Sequence, residues 1–296
     1  VEIKKYEVLL NTLDKGSFIN ACADLGYTQS GITHMMNSLE KEVGFPLLLR
    51  NNRGIQLTPE GETVLPAIRE LVLLNEKLEQ QFALIRGTES GKVRVGTYPT
   101  IACSWLPQII RRLRESHPGI QVEVQEENSV KRLEKSLQDG RIDLCFASLQ
   151  PGQSFDWLDL REDPYLAVLP AAHPLAARER VPAGELMGES FFMCKSLDGM
   201  DPDITGYFES AGVPIRGGSS CNSDNTIVHM VEQGLGVSML PRLFLDTAMG
   251  SSTGNVVTRP LYPSASRRLG LAVRSFRELS PAMERFIQCV RDVLKV

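Results

Sequence analysis

A chain of 296 residues with 42% hydrophobic and 23% charged side chains can build two or three compact units around ordinary cores, without metal or disulfide staples. No apolar run approaches the roughly 20 residues needed to cross a bilayer, and the opening VEIKKYEVLL has no signal-peptide pattern, so a cytoplasmic protein with no membrane partner is expected. The net charge of −4 gives no bulk case for nucleic acid, and scattered cysteines (Cys22, Cys103, Cys145, Cys194, Cys221, Cys289) without C-x-x-C spacing argue for reduced thiols and against a zinc site.

In chain order, Ile3, Tyr6, Leu9, Leu10 and Leu13 pattern an amphipathic helix that Gly16 stops. Ser17 can cap a second helix over Phe18–Leu25, closed by Gly26. Thr28 can cap a third from Gln29 to about Val43, closed by Gly44. Leu47–Arg50 and Ile55–Leu57 predict two short strands around the polar turn Asn51-Asn52-Arg53-Gly54. Thr58-Pro59-Glu60 then opens a fourth helix, with a cap, a proline at the first helical position and an acid in the first turn.

The fourth helix is expected to reach about Arg86. Along it Val64, Ile68, Leu71, Asn75, Leu78, Phe82 and Ile85 alternate in steps of four and three. This is a heptad seam with one polar member, and an Asn there weakens a coiled coil while fixing its register. Ile68, Leu71, Asn75, Leu78 and Phe82 are therefore candidate dimerisation residues; packing of the helix on its own domain is the alternative. Pro66 should kink the helix near its start. The resulting division is a helical unit over 1–58, a linker helix over 59–87, a polar hinge at 88–91 and a second unit over 92–296.

Beyond the hinge, strands and helices alternate. Strand Val93–Gly96, helix Ile101–Ser116, strand Ile120–Glu126, helix Ser129–Asp139 and strand Ile142–Ala147 come first. Further strands are expected at Leu166–Leu169, Phe191–Cys194, Val237–Leu240, Val256–Arg259 and Leu269–Val273. Helices are expected at about Ser223–Gln233 and from Ser280-Pro281 onward. Apolar strand runs separated by helices predict a parallel α/β architecture. In such sheets ligands sit beyond the carboxyl ends of strands, so Gly96-Thr97-Tyr98-Pro99-Thr100 is a candidate cradle whose free backbone N–H groups favour an anion. Helix capping is the plainer role for these hydroxyls.

Three short helices and a hairpin outline a winged helix-turn-helix, with Leu25-Gly26-Tyr27 as the tight turn. Ser30, Thr33, His34 and Asn37 fall at i, i+3, i+4 and i+7 and share one face of the third helix; Ile32, Met35, Met36 and Leu39 oppose it. Small hydroxyls and amides at a helix N-terminus suit base edges and phosphates in a major groove.

The stretch GSFINACADLGYTQSGITHMMNSLEKEVGFPLLLRNNRGIQLTPEG resembles the N-terminal domain of the LysR-type transcriptional regulators. The resemblance rests on Gly16-Ser17-Phe18, Thr28-Gln29-Ser30, Leu39-Glu40, Gly44, Arg50 and Leu57-Thr58…Gly61, in that order. It implies an all-α winged helix-turn-helix with a long linker helix, followed by a two-lobed α/β effector domain built like a periplasmic binding protein. It implies DNA contacts from Thr28, Gln29, Ser30, Thr33, His34, Asn37, Arg50 and Arg53. The implied partners are double-stranded promoter DNA, a small-molecule effector and RNA polymerase, with homodimers assembling to a homotetramer. No cofactor or metal is implied.

One departure stands out, because the family commonly carries Arg where this chain has His34, and neutral His cannot grip guanine or phosphate in two places. Residues 1–61 also hold six basic side chains against seven acidic ones, so non-specific attraction to DNA should be weak and dimerisation must supply affinity. In the effector domain the likeness puts Thr97, Tyr98 and Thr100 on lobe one (92–162 and 267–296) and Ser196 and Ser223 on lobe two (163–266). Ala147 and Ser148 fall at the hinge between them.

No G-x-x-x-x-G-K-[ST], H-E-x-x-H or G-x-S-x-G motif occurs, and His34, His117, His173 and His229 lack metal-ligand spacing, so an enzyme is not expected. Two alternatives stand beside the regulator: a two-lobed small-molecule-binding protein, and a thiol-based redox-sensing regulator using Cys103 in the first turn of its helix.

Overall fold

Ser17, Thr28 and Thr58 each accept a backbone N–H from the third residue onward, Asn20, Gly31 and Gly61, and these caps fix where three helices begin. The computed structural model describes residues 1–51, 54–196, 198–215, 219–248 and 254–296, with the side chains of Arg50 and Asn51 left aside. The chain divides into two compact units, Val1–Thr88 and Glu89–Val296.

In the first unit α1 spans Ile3–Lys15, α2 Phe18–Leu25 and α3 Gln29–Val43. Strands β1 (Leu48–Asn51) and β2 (Gly54–Leu57) pair antiparallel as the wing, and α4 follows over Pro59–Ile85. Val8, Leu9, Ala21, Ile32, Met36, Leu39 and Leu47 form the core. The wing docks on the turn after α1: the Ile55 N–H donates to the Gly16 carbonyl at 3.3 Å. Gly54 sits at φ +110°, and a Cβ there would lie 2.8 Å from that carbonyl oxygen, so the close approach requires glycine.

Helix α4 continues through Pro66, and its first half serves this unit. Ile68 and Val72 are buried in the core, and Arg69 reaches Asp14 at 2.7 Å. The expectation for Ile68 is corrected accordingly: its side chain is spent on its own unit. The exposed apolar stripe begins one turn later, with Leu71, Leu74, Leu78, Phe82 and Ile85.

The second unit runs β3 (Gly91–Thr97), α5 (Pro99–Ser104), α6 (Leu106–Ser116), β4 (Ile120–Glu126), α7 (Val130–Gln138), β5 (Leu144–Ser148) and β6 (Asp156–Pro170). Then come β7 (Val181–Pro182), α8 (Ala183–Met187), β8 (Phe191–Ser196), β9 (Gly199–Met200), α9 (Pro202–Ser210), β10 (Ser219–Cys221) and α10 (Asp224–Glu232). The last elements are β11 (Val237–Pro241), α11 (Arg242–Ala248), β12 (Val256–Tyr262), β13 (Ser266–Val273) and α12 (Pro281–Leu294). The expected helix Ile101–Ser116 is broken at Trp105. Pro107 has no N–H to return to the preceding turn, and the chain restarts as α6 with that proline in its first turn.

Strand order is β10-β8-β11-β6-β13-β5-β3-β4 among the described residues, with β12 also on β6. Pairing of β3 with β4 and β5, and of β8 with β10 and β11, is parallel as the βαβ pattern requires. The sheet is nevertheless mixed, because β6 and β13 run antiparallel to their neighbours. The long strand β6 explains the two lobes. Asp156–Pro164 pairs with β13 beside one core, and Tyr165–Pro170 pairs with β11 and β12 beside another. Lobe one packs Phe146 edge-on to both Trp105 and Phe286; lobe two packs Phe191 edge-on to Phe208.

Candidate functional site

On α3 the helical period separates two faces. Ile32, Met36 and Leu39 are fully buried, while Gln29, Ser30, His34 and Asn37 are exposed and Thr33 is half-buried. The Thr28 hydroxyl accepts the Gly31 N–H at 3.1 Å and lies 3.1 Å from the Ser30 hydroxyl, so it is engaged as a cap. Arg53 and the side chain of Arg50 lie outside the described residues. Lys4, Lys5 and Lys15 form ion pairs with Glu7, Glu42 and Asp24, so these three charges are partly neutralised before they meet a phosphate.

Glu40, on the inner side of the same helix, is a residue whose role the sequence did not disclose. Its Oε1 accepts from the backbone N–H groups of Leu47 at 2.7 Å and Leu48 at 2.9 Å. One carboxylate thereby fixes the wing's first strand to the helix that carries the polar face.

In the second unit a cavity of about 220 Å³ opens between the lobes. Tyr98, Thr100 and Ser129 line it from lobe one, Ser196, Asp201 and Asp224 from lobe two, and Arg267 from β13. Three contacts tie the lobes across its rim. Gln150 donates to the Ser148 hydroxyl at 3.0 Å and to Asp203 at 2.9 Å, Arg132 meets Asp198 at 2.8 Å, and the Asn128 amide donates to the Asn222 carbonyl at 3.1 Å.

Of the residues expected here from the sequence, Tyr98, Thr100 and Ser196 line the cavity. Ser148 stands directly behind, its hydroxyl 3.1 Å from that of Tyr98. Thr97, Ala147 and Ser223 do not line it. Thr97 is buried with its hydroxyl on the Tyr98 carbonyl, Ala147 belongs to the core of lobe one, and Ser223 caps α10 through Thr226 N–H. The strand period turns Thr97 and Ala147 away from the ligand side.

Charged groups not expected from the sequence complete the wall. Arg267 is buried, places two nitrogens on Asp163 Oδ2 at 3.1 and 2.9 Å, and lies over the rings of Tyr98 and Tyr165. Asp201 caps α9 by accepting the Asp203 N–H at 2.8 Å; burial, and then the charge of Asp203, push its carboxyl up to about 6. Burial also raises Asp224. The alternation that buries Leu269 and Leu271 also buries Arg267, and Asp201-Pro202 has a helix-start signature; both were signals available in the sequence.

No described thiol is in a disulfide. Cys145 is buried and pushed up to about 12, and burial raises Cys194 further, with Asp224 nearby adding to the effect. These environments suppress thiolate formation, whereas Cys103 is exposed on α5. No group of three or more His, Cys, Asp or Glu side chains is placed to hold a metal among the described residues.

Residues 3–62 match the family model for the bacterial regulatory helix-turn-helix protein, lysR family, and residues 86–295 match that for the LysR substrate binding domain. The uncharacterized HTH-type transcriptional regulator YvbU of Bacillus subtilis is 28% identical over 98% of both chains. The probable HTH-type transcriptional regulator LrrA of Synechococcus elongatus is 25% identical over 99% of this chain and 97% of its own. Among solved structures, a full-length OxyR variant from Pseudomonas aeruginosa superposes with a TM-score of 0.76 at 23% identity, covering 100% of this chain and 95% of that one. Full-length BenM gives 0.62 at 23%, covering 100% and 97%.

Proposed function

Because the chain belongs to the LysR family of bacterial helix-turn-helix regulators, we propose that Gln29, Ser30, Thr33, His34 and Asn37 read base edges of promoter DNA and that the inter-lobe cavity holds the effector. The chain is a transcriptional regulator with an N-terminal DNA-binding domain and a C-terminal effector-binding domain. The observation that carries the finer reading is the division of α3, where a buried apolar face leaves small polar groups displayed at the helix's N-terminal half. Thr28 contributes by shaping the helix start.

Two chains pairing through the exposed stripe of α4 would set two recognition helices on successive major grooves, about 34 Å apart. Pairing of effector domains would then give a homotetramer, which contacts RNA polymerase at the promoter. As a regulator of promoters the protein acts in the cytoplasm and catalyses no reaction. Effector binding acts through lobe closure. The contacts across the rim, Gln150 with Asp203 and Arg132 with Asp198, are made only when the lobes are close, so a ligand preferring that arrangement shifts the population toward it. Selection of bound duplexes from a randomised pool tests the reading. Enrichment of partly palindromic sites with half-sites one helical turn apart supports it, and an unenriched pool refutes it.

A further inference from the structure

Among the described residues the cavity holds more carboxylates than cations: Asp198, Asp201 and Asp224 against Lys131 and Arg267. Arg267 places two of its three nitrogens on Asp163, and its single charge is shared between Asp163, Asp201 and Asp224. Asp198 is met by Arg132, and Asp203 by the Gln150 amide. The remaining lining cation among the described residues, Lys131, is exposed on α7 and bears on Asp198 and Glu134. That leaves Asp201, at the cap of α9, and Asp224, in the first turn of α10. Both line the cavity, and neither forms an ion pair among the described residues. One guanidinium shared among three carboxylates compensates their burial only in part, and a bound cation would supply the missing charge.

A second, independent feature marks the same wall. Tyr165 lines the cavity and is only 3% exposed, and its hydroxyl has no hydrogen-bond partner. Buried hydroxyls are nearly always satisfied, so this one, on a residue that lines the cavity, has hydrogen-bonding capacity left for a ligand.

We propose that the cavity takes a small organic cation, its protonated amine seated against Asp201 and Asp224 and a polar group meeting the Tyr165 hydroxyl. This rests on the cavity being the effector site and replaces the anion that the Thr97–Thr100 turn led one to expect. An anionic group near Asp201 and Asp224 would meet like charge. The volume of about 220 Å³ exceeds the roughly 150 Å³ that accommodates benzene, so the ligand has the bulk of one ring with a short arm.

The test uses the full chain and three probes of one shape, benzylamine, benzyl alcohol and benzoate, at neutral pH. Each thermal shift is measured against the same variant without ligand. Benzylamine is expected to raise the melting temperature while the alcohol and the acid do not, and Asp201→Asn and Asp224→Asn are each expected to weaken its binding about tenfold or more. Stabilisation by benzoate alone, abolished by Tyr98→Ala, would overturn the cation while leaving the cavity as the effector site. A benzylamine shift undiminished in both Asn variants would place binding elsewhere and overturn both readings. No shift with any probe would overturn the amine assignment.

Discussion

Arg267 and Asp163 form a buried pair in which two guanidinium nitrogens share one carboxylate oxygen, at 3.1 and 2.9 Å. The other oxygen of Asp163 accepts the Leu243 N–H at 2.9 Å, so this carboxylate joins β6, β13 and the start of α11 where the lobes meet. Removing one partner strands the other charge in the interior, at a cost of about 3–5 kcal/mol. Asp163→Asn is therefore expected to lower the stability of the second unit by several kcal/mol in urea titration. Arg267→Lys should also destabilise it, because a single ammonium cannot reproduce the planar two-nitrogen contact. Asp163→Asn behaving like the parent would show that the pair does not hold the lobes.

Glu40 ties the recognition helix to the wing through two backbone amides. Hydrogen bonds to a charged group contribute about 1.5–3 kcal/mol. Glu40→Ala is expected to lose hydrogen-exchange protection at Leu47 and Leu48 first and to weaken DNA binding with no change in ligand affinity. Unchanged protection at those amides would contradict this role.

The Asp201 carboxyl titrates at about 6 instead of 3.8, because it is buried and faces Asp203. With the folded pKa above the unfolded one, the native state holds its proton more tightly. Stability from this group is therefore fully present below pH 3.8 and is lost as pH rises toward 6. The melting temperature of Asp201→Asn is expected to exceed that of the parent at neutral pH, with the gap closing on acidification. A gap that is constant with pH would show that Asp201 titrates normally.

Leu71, Leu74, Leu78, Phe82 and Ile85 leave α4 with an apolar stripe on one side. Leu78→Asp with Phe82→Asp is expected to shift the sedimenting mass toward monomer without lowering the melting temperature of the second unit. Asn75→Leu should strengthen pairing and relax its register. Unaltered mass in the double aspartate variant would show that the stripe is not an interface.

Much of the fold was legible because punctuation is local. Ser17, Thr28, Thr58 and Ser280 are caps whose chemistry is complete within four residues, and the helices begin where they stand. The period of α3 placed Ile32, Met36 and Leu39 inside without further information. What stayed hidden depends on distant partners. Ile68 fits a heptad, but the core formed by α1 and α3 claims it. Helix α9 has a start signal in Asp201-Pro202, but it runs for only 9 residues, so its apolar period is too short to stand out. Arg267 and Asp163 are 104 positions apart, and only the pairing of β6 with β13 brings them together. The ligand side of Thr97–Thr100 was visible as a turn, while the opposing carboxylates needed the second lobe.

The central claim is that the exposed face of α3 reads DNA sequence. Fluorescence anisotropy with the duplex flanking this protein's own gene, against a scrambled duplex of equal length at matched salt, measures it directly. We expect tighter binding to the native duplex, loss of that preference in the Ser30→Ala, Asn37→Ala variant, and tighter binding overall in His34→Arg. Equal affinity for both duplexes at low salt, with benzylamine present or absent, would contradict the account.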